Sequence, residues 1–416
     1  MKTTAFDVVV VGGGMVGAAT ACLLLREGFS VALIEAREPP EFDESKPFGL
    51  RVSALSPGSQ AILAHSGAWK IVAERRHCAY RRMHVEETDE GHAAELEFAA
   101  AEFGLERLGT IVENDSISSA LWQVLEARGI AGDRVELCCP DQLIGLESSG
   151  DDVTLCLASG RAIAARLVVG ADGPRSQVRG LAGIDQRCWS YGQRGIVSVV
   201  RAEQANPGVA WQRFMEGGPL AFLPLNDGSS SIVWTRPERE ATRLLSLSDE
   251  DFGAELGLAS GEWLGPVATC GPRASFDLTM RLSDRYAARR IALVGDAAHL
   301  VHPLAGQGVN MGLLDAAALV ELLAAARKEQ EGWATESVLS KVLGGYSRWR
   351  RSDAEVMAHG IHGLRALFMP TWLGPVRRLG LRLVSKSWMA REAFLRRAAG
   401  LYSDAPALAR QDTSRG

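Results

Sequence analysis

Seven cysteines are scattered through the 416 residues without one C-x-x-C pair, and no histidine stands at zinc-ligand spacing from them. That excludes a disulfide scaffold and a structural zinc site and leaves reduced thiols as the expectation. No metal centre is expected. Positive charge is not in excess either: 45 Lys+Arg against 50 Asp+Glu give −5, which argues against nucleic acid as the main partner. No apolar run is long and clean enough for a membrane span; the best, residues 308–326, is interrupted by Asp315 and Glu321. The early apolar run from Val8 follows Asp7, is broken by glycines and meets no small-residue cleavage site, so a secretory signal is not expected. Transit-peptide composition, lipidation motifs, internal repeats and low-complexity tracts are also lacking. A cytoplasmic chain is the expectation. What the sequence has in quantity is apolar residues, at 47%, and glycine, at 44. The first excludes disorder and, at this length, predicts a large core in two or three domains. The second matters where backbone must approach a ligand.

Position gives the glycines meaning. Asp7-Val-Val-Val-Val11 is a β-branched run of strand length, followed at once by Gly12-Gly-Gly-Met-Val-Gly17. Residues 18–27 are rich in Ala and Leu and read as a helix, with Gly28 at a left-handed C-cap. Residues 30–35 form a second buried strand ending in Glu35, 18 residues past the last motif glycine. Strand, G-x-G-x-x-G, helix, strand and acid in this order suit a Rossmann dinucleotide site. Gly12 makes the tight turn, Gly14 admits the pyrophosphate, Gly17 lets helix and strand pack closely, and Glu35 accepts ribose hydroxyls. The motif alone does not separate NAD from FAD.

Two later segments bear on that choice. A short apolar strand ending at Gly170 runs into Gly170-Ala-Asp-Gly-Pro-Arg-Ser-Gln-Val-Arg179. Another, residues 289–294, runs into Gly295-Asp-Ala-Ala-His299, then Pro303-Leu-Ala-Gly-Gln-Gly-Val-Asn310 and a helix over about 311–327. Asp296 can hold a polyol hydroxyl, and the loop of Gly306, Gly308, Val309 and Asn310 can turn backbone amides at a helix N-terminus toward a flavin ring. A plain nicotinamide dehydrogenase has no need of this distant element.

The three motifs together resemble those of the FAD-dependent aromatic hydroxylases of the p-hydroxybenzoate hydroxylase fold, and within them the ubiquinone-biosynthesis flavin hydroxylases. Matching pieces include Arg51-Val-Ser-Ala-Leu-Ser56, Tyr80-Arg-Arg82, Val112-Glu-Asn114, Ala120-Leu-Trp-Gln123, Gln212-Arg-Phe214 and Gly218-Pro-Leu-Ala-Phe-Leu-Pro-Leu225. The stretch at Tyr80 and the pair Trp122-Gln123 are most similar to the branch that hydroxylates the methylated methoxybenzoquinol at C6. The resemblance implies an α/β fold: a Rossmann-type FAD-binding domain (residues 1–75, 100–185 and 280–345), an inserted antiparallel-sheet substrate domain (76–99 and 186–279) and a helical C-terminal segment (346–416). It implies FAD contacts from Gly12, Gly14, Gly17, Glu35, Arg51, Asn114, Asp296, Gly306, Gly308, Val309 and Asn310. Asn114 departs from relatives that carry Arg there. Asp172 is implied to sit between FAD and the nicotinamide donor; its other reading is a turn residue capping the following helix. Pro303 is the expected flavin neighbour at the reaction centre. His299 is a candidate catalytic residue whose other reading is a histidine bonded into the cofactor loop, and no general base is assigned.

The implied reaction takes NAD(P)H, O2 and a polyprenylated benzoquinol or phenol, and proceeds through a flavin C4a-hydroperoxide. Other ubiquinone-biosynthesis proteins are implied partners. Residues 195–235 read as short strands with a turn at Asn226-Asp-Gly228, and Phe222, Leu223 and Pro224 read either as an apolar wall over the flavin or as sheet core. Between 359 and 400 the chain is basic, with Arg365, Arg377, Arg378, Arg382, Lys386, Arg391, Arg396 and Arg397 against Glu392. It reads either as a helical pair packed on the FAD domain or as a surface lying peripherally on the inner face of the cytoplasmic membrane. The competing functions are a flavin hydroxylase acting at another ring position or on a soluble aromatic, and a non-enzymatic prenyl-binding member of a related fold.

Overall fold

The computed structural model describes residues 4–89, 92–301, 307–330, 332–368 and 387–410. The β-branched start forms strand Thr4–Val11, with Val8, Val9 and Val10 fully buried, as a central parallel strand covered on both faces must be. Helix Met15–Arg26 follows and is closed by Gly28 at φ +81°. The Gly28 and Phe29 amides donate to the Leu25 and Leu24 carbonyls, the paired bonds of a left-handed helix stop.

Around these elements lies an eight-stranded sheet. Its parallel core runs Val135–Cys138, Val31–Ile34, Thr4–Val11, Ala162–Gly170 and Ile291–Leu293. The strands that precede the three glycine motifs are therefore neighbours, although 280 residues separate the first from the last. All three end at the same sheet edge, where ligands bind in open α/β sheets. Helix Gln307–Glu329 packs beside Met15–Arg26 with Ala316–Leu319 buried. It is the one helix among the described residues long and apolar enough to cross a bilayer, and its apolar stretch is 72% buried within the protein.

A nine-stranded sheet forms the second layer, in the order His299–Leu300, Ala274–Ser283, Gln186–Ala202, Ser230–Pro237, Leu220–Pro224, Val209–Phe214, Arg82–Asp89 and His92–Ala99, with Val267–Cys270 on Gln186–Ala202. The strands expected between 195 and 235 are all present. The sheet is not wholly antiparallel: Val209–Phe214 pairs with Arg82–Asp89 in parallel. No hairpin joins those two, so nothing local fixes their direction. Gln186–Ala202 also starts ten residues before the expected strand, with a register break between Ser190 and Arg194 and Gly192 at φ +63°. A small antiparallel sheet, Val52–Leu55, Gly109–Glu113 and Cys78–Tyr80, stands between the two large ones, sharing one apolar cluster with residues of the second.

The described part of the C-terminal region is helical, in Glu336–Phe368 and Trp388–Ala398. The second helix docks on the large sheet: Leu395 is buried with Phe98 and Leu108, and Arg391 bonds Glu102 at 2.6 Å. Arg396 pairs with Glu392 and Arg397 with Asp353. These three cations face the protein's own acids. Arg377, Arg378, Arg382 and Lys386 lie outside the described residues, as does the side chain of Arg365.

Candidate flavin site

Three glycine-bearing segments converge on the N-terminal end of helix Met15–Arg26. Gly12 turns at φ +101°, and a Cβ there would run into the Ala171 carbonyl. A Cβ on Gly17 would strike the Gly12 carbonyl oxygen, and one on Gly312 would come within 2.6 Å of Val16 and 3.2 Å of the Gly295 Cα. These glycines are required by the packing of one motif on the next. Gly14 differs: a Cβ there would meet nothing within 4 Å, so the fold itself does not demand glycine. Close approach of a pyrophosphate would. Gly14 is also the N-cap, offers no side chain to the first amides, and no acid stands in the first turn. The free N–H groups and the positive helix end are left for a phosphate.

Gly13 is clamped between two side chains. Its amide donates to Glu35 Oε2 at 2.5 Å, and its carbonyl accepts from Trp122 Nε1 at 2.8 Å. Glu35 Oε1 accepts from the Arg37 amide at 3.0 Å, which leaves lone pairs on both oxygens for ribose hydroxyls. Trp122 is buried on helix Asn114–Ile130 and fixes the phosphate loop from behind. Trp122→Phe should retain the packing and lose the indole N–H, weakening FAD binding by roughly 2- to 15-fold, the worth of one neutral hydrogen bond. Titration of the stripped protein with FAD reads this; unchanged affinity would remove Trp122 from the site.

At the other motif, Asp296 is half-buried, and among the described residues its carboxylate accepts no hydrogen bond. Burial pushes its carboxyl above the ordinary range, with the neighbouring His299 and Arg51 charges pulling it back. Arg51 is exposed and likewise has no partner among the described residues. An unpartnered acid and an unpartnered cation close to one another suit a ligand with hydroxyls and anionic groups.

Behind Asp296 lies a buried charge network. Asp315, fully buried in the core helix, accepts from His299 Nε2 at 2.6 Å, Arg350 Nε at 2.7 Å and the Gly295 amide at 3.0 Å. Burial opposes the Asp315 charge, but His299 and Arg350 outweigh it and hold the carboxyl below its usual value. Arg350 continues to Asp353 at 2.6 Å, and Arg397 joins Asp353 at 3.2 Å. His299 is thus buried with its Nε2 engaged by Asp315 of the core helix.

The remaining expected residues divide. Asn310 is buried, but its side chain braces neighbouring backbone: Oδ1 accepts from the Ser56 amide and Nδ2 donates to the Ala54 carbonyl. It ties the small sheet to the core helix. Asn114 Oδ1 accepts from Ser53 Oγ, and its amide donates to the Arg51 carbonyl. Asp172 has both oxygens taken, by Ser176 Oγ and by the Gln177 and Val178 amides, so its side chain caps helix Gln177–Leu181. Gly308 lies in the first turn of the core helix with open space at its Cα, and Val309 packs on the core. Pro303 and Gly306 lie outside the described residues. Phe222 is sheet core against Trp211, whereas Leu223, on the opposite face, joins the cluster with Ala54 and Ile111. Asp315, Arg350 and Trp122 escaped sequence reading as site residues. The one available signal was an acid inside an apolar helix.

Residues 5–357 match the family described as FAD binding domain. The chain is 39% identical to the Escherichia coli 3-demethoxyubiquinol 3-hydroxylase over 95% of its own length and 98% of the relative's. It is 37% identical to the ubiquinone hydroxylase UbiL of Rhodospirillum rubrum over 95% and 89%. A crystal structure of p-nitrophenol 4-monooxygenase PnpA from Pseudomonas putida, 20% identical, superimposes with a TM-score of 0.75 over 96% of this chain and all of that one, a likeness of fold. With the three glycine-bearing strand ends brought to one sheet edge and these relatives matching almost the whole chain, the protein belongs to the FAD binding domain family and is a FAD-dependent aromatic-ring monooxygenase.

Proposed function

We propose that this enzyme hydroxylates a polyprenylated methyl-methoxybenzoquinol on the pathway to ubiquinone, at the C6 step, with the oxygen entering the one ring carbon that still carries hydrogen. The observation that carries this reading is the end-to-end similarity to the 3-demethoxyubiquinol 3-hydroxylase, whose name describes oxygen entering where a methoxy group is missing. The overall reaction balances as ring C–H, O2, NAD(P)H and a proton giving ring C–OH, water and NAD(P)+. Bound FAD supplies the two-electron and oxygen chemistry.

The chain's own residues bind, orient and exclude water. Gly12, Gly14 and Gly17 shape the pyrophosphate cradle, Glu35 takes the ribose and Asp296 the ribityl hydroxyls. The N-terminal turn of helix Gln307–Glu329, with Gly308 and the backbone of Val309 and Asn310, would hold the ring system of bound FAD and favour negative charge there. Pro303 and Gly306 complete that loop in this proposal. His299 acts through Asp315 to hold the Gly295–Asp296 turn and is not needed as a base. Phe48, Val52, Cys78, Tyr80, Val199 and Leu223 form a partly exposed apolar wall on buried Ala54 and Ile111, which adjoins the strand that Asn310 ties to helix Gln307–Glu329. Such a wall suits an aromatic ring and keeps water from the reacting oxygen.

The substrate's isoprenoid tail places it in a lipid bilayer. In this proposal the enzyme works peripherally at the inner membrane face, using residues 365–386, which hold five cations and no acid. A strain lacking the gene should accumulate the demethoxy quinone and lose ubiquinone, both read by mass spectrometry of lipid extracts. Normal ubiquinone in that strain would overturn the proposal in favour of another ring position or a soluble aromatic substrate.

A further inference from the structure

The apolar wall has one hydroxyl. Of its six partly exposed side chains only Tyr80 carries an O–H, and among the described residues that group has no hydrogen-bond partner. Strand Cys78–Tyr80 lies two strands from Val52–Leu55, which Asn310 ties to the cofactor-loop helix. The Tyr80 ring crosses its cross-strand partner Gly109: a Cβ on Gly109 would be 2.6 Å from the Tyr80 hydroxyl and 2.8 Å from the Leu55 carbonyl oxygen. Only glycine leaves room for the phenol to lie there. Tyr80 also packs against a second cluster, with Met83, Phe214 and Leu395, so its ring is held by two clusters.

A quinol ring brings two hydroxyls and a methoxy oxygen into this wall. Once water is excluded, each needs a partner or costs free energy. We infer that the Tyr80 hydroxyl donates a hydrogen bond to a ring oxygen of the substrate and thereby turns the carbon to be hydroxylated toward the flavin. Burial pushes the phenol up to about 12, so it stays a neutral donor across the working pH range. The inference rests on the aromatic-ring reading above but not on the identity of the ring.

Tyr80→Phe in the holoenzyme tests it, with a one-isoprene methyl-methoxybenzoquinol as probe. The variant should fold and retain the wild-type FAD content. With the quinol, KM should rise about three- to tenfold, and hydrogen peroxide released per NAD(P)H should at least double, because a misoriented ring wastes reducing equivalents. Unchanged KM and coupling would overturn the inference, and so would loss of FAD, which would make Tyr80 structural. If the wild-type enzyme ignores the quinol and hydroxylates a soluble phenol, the benzoquinol proposal fails, and the same two quantities measured on that phenol decide Tyr80.

Discussion

Asp296→Ala protein should be soluble, folded and nearly colourless. In the apoprotein this carboxylate is a liability, because burial raises its carboxyl above the ordinary value near 3.8. A carboxyl whose folded-state value is raised stabilises the fold only at low pH and costs stability at neutral pH. Removing it should therefore leave apoprotein stability at pH 7 unchanged or slightly improved. In the proposed site, FAD would lose its hydroxyl acceptor at the same time. A hydrogen bond to a charged group contributes about 1.5–3 kcal/mol, so the dissociation constant should rise roughly 10- to 150-fold. Flavin released per chain, together with the thermal midpoint of apoprotein, separates this outcome from simple unfolding. Full flavin retention would remove Asp296 from the site.

Asp315→Ala should behave in the opposite manner and fail as a protein. It leaves Arg350 buried without its carboxylate, frees His299 and strips the Gly295 amide of its acceptor. Breaking one partner out of a buried ion pair costs about 3–5 kcal/mol, a large part of a typical folding free energy of about 5–15. Low soluble yield and a fallen denaturation midpoint are expected, with flavin loss following. The same group predicts acid sensitivity. The folded-state carboxyl lies below its ordinary value near 3.8, so its contribution is present above that pH and lost as pH falls further. Wild-type protein should show an acid transition below about pH 4 that owes part of its steepness to Asp315. A soluble, flavin-loaded Asp315→Ala protein would contradict this account of the network.

Local features were legible in the sequence and distant pairings were not. The valine run, the glycines after it and Glu35 lie within 30 residues, and each follows from β-branching, turn geometry or helix capping. The later motifs were legible for the same reason. Asp315 stood out as a charge in an apolar run, but its partner Arg350 lies 35 residues away and nothing in the sequence joins them. Asn310 shows the limit from the other side: its position at the flavin loop was readable, yet its side chain is spent on Ser56, 254 residues away. Asp172 carried two readings, and the helix cap is the one its hydrogen bonds make. Leu223 and Phe222 stood together as wall candidates because the alternation of a strand does not say which face meets which layer. The parallel pairing of Val209–Phe214 with Arg82–Asp89 had no local signal at all.

The central claim is that this FAD site serves hydroxylation of a benzoquinol ring. Purified holoenzyme, supplied with NAD(P)H, ¹⁸O2 and the one-isoprene methyl-methoxybenzoquinol, tests it most directly. One ¹⁸O atom per product molecule, placed on the ring carbon that had carried hydrogen and absent without FAD, is the predicted result. Flavin-loaded enzyme that consumes NAD(P)H and oxygen while the quinol ring gains no ¹⁸O would contradict it.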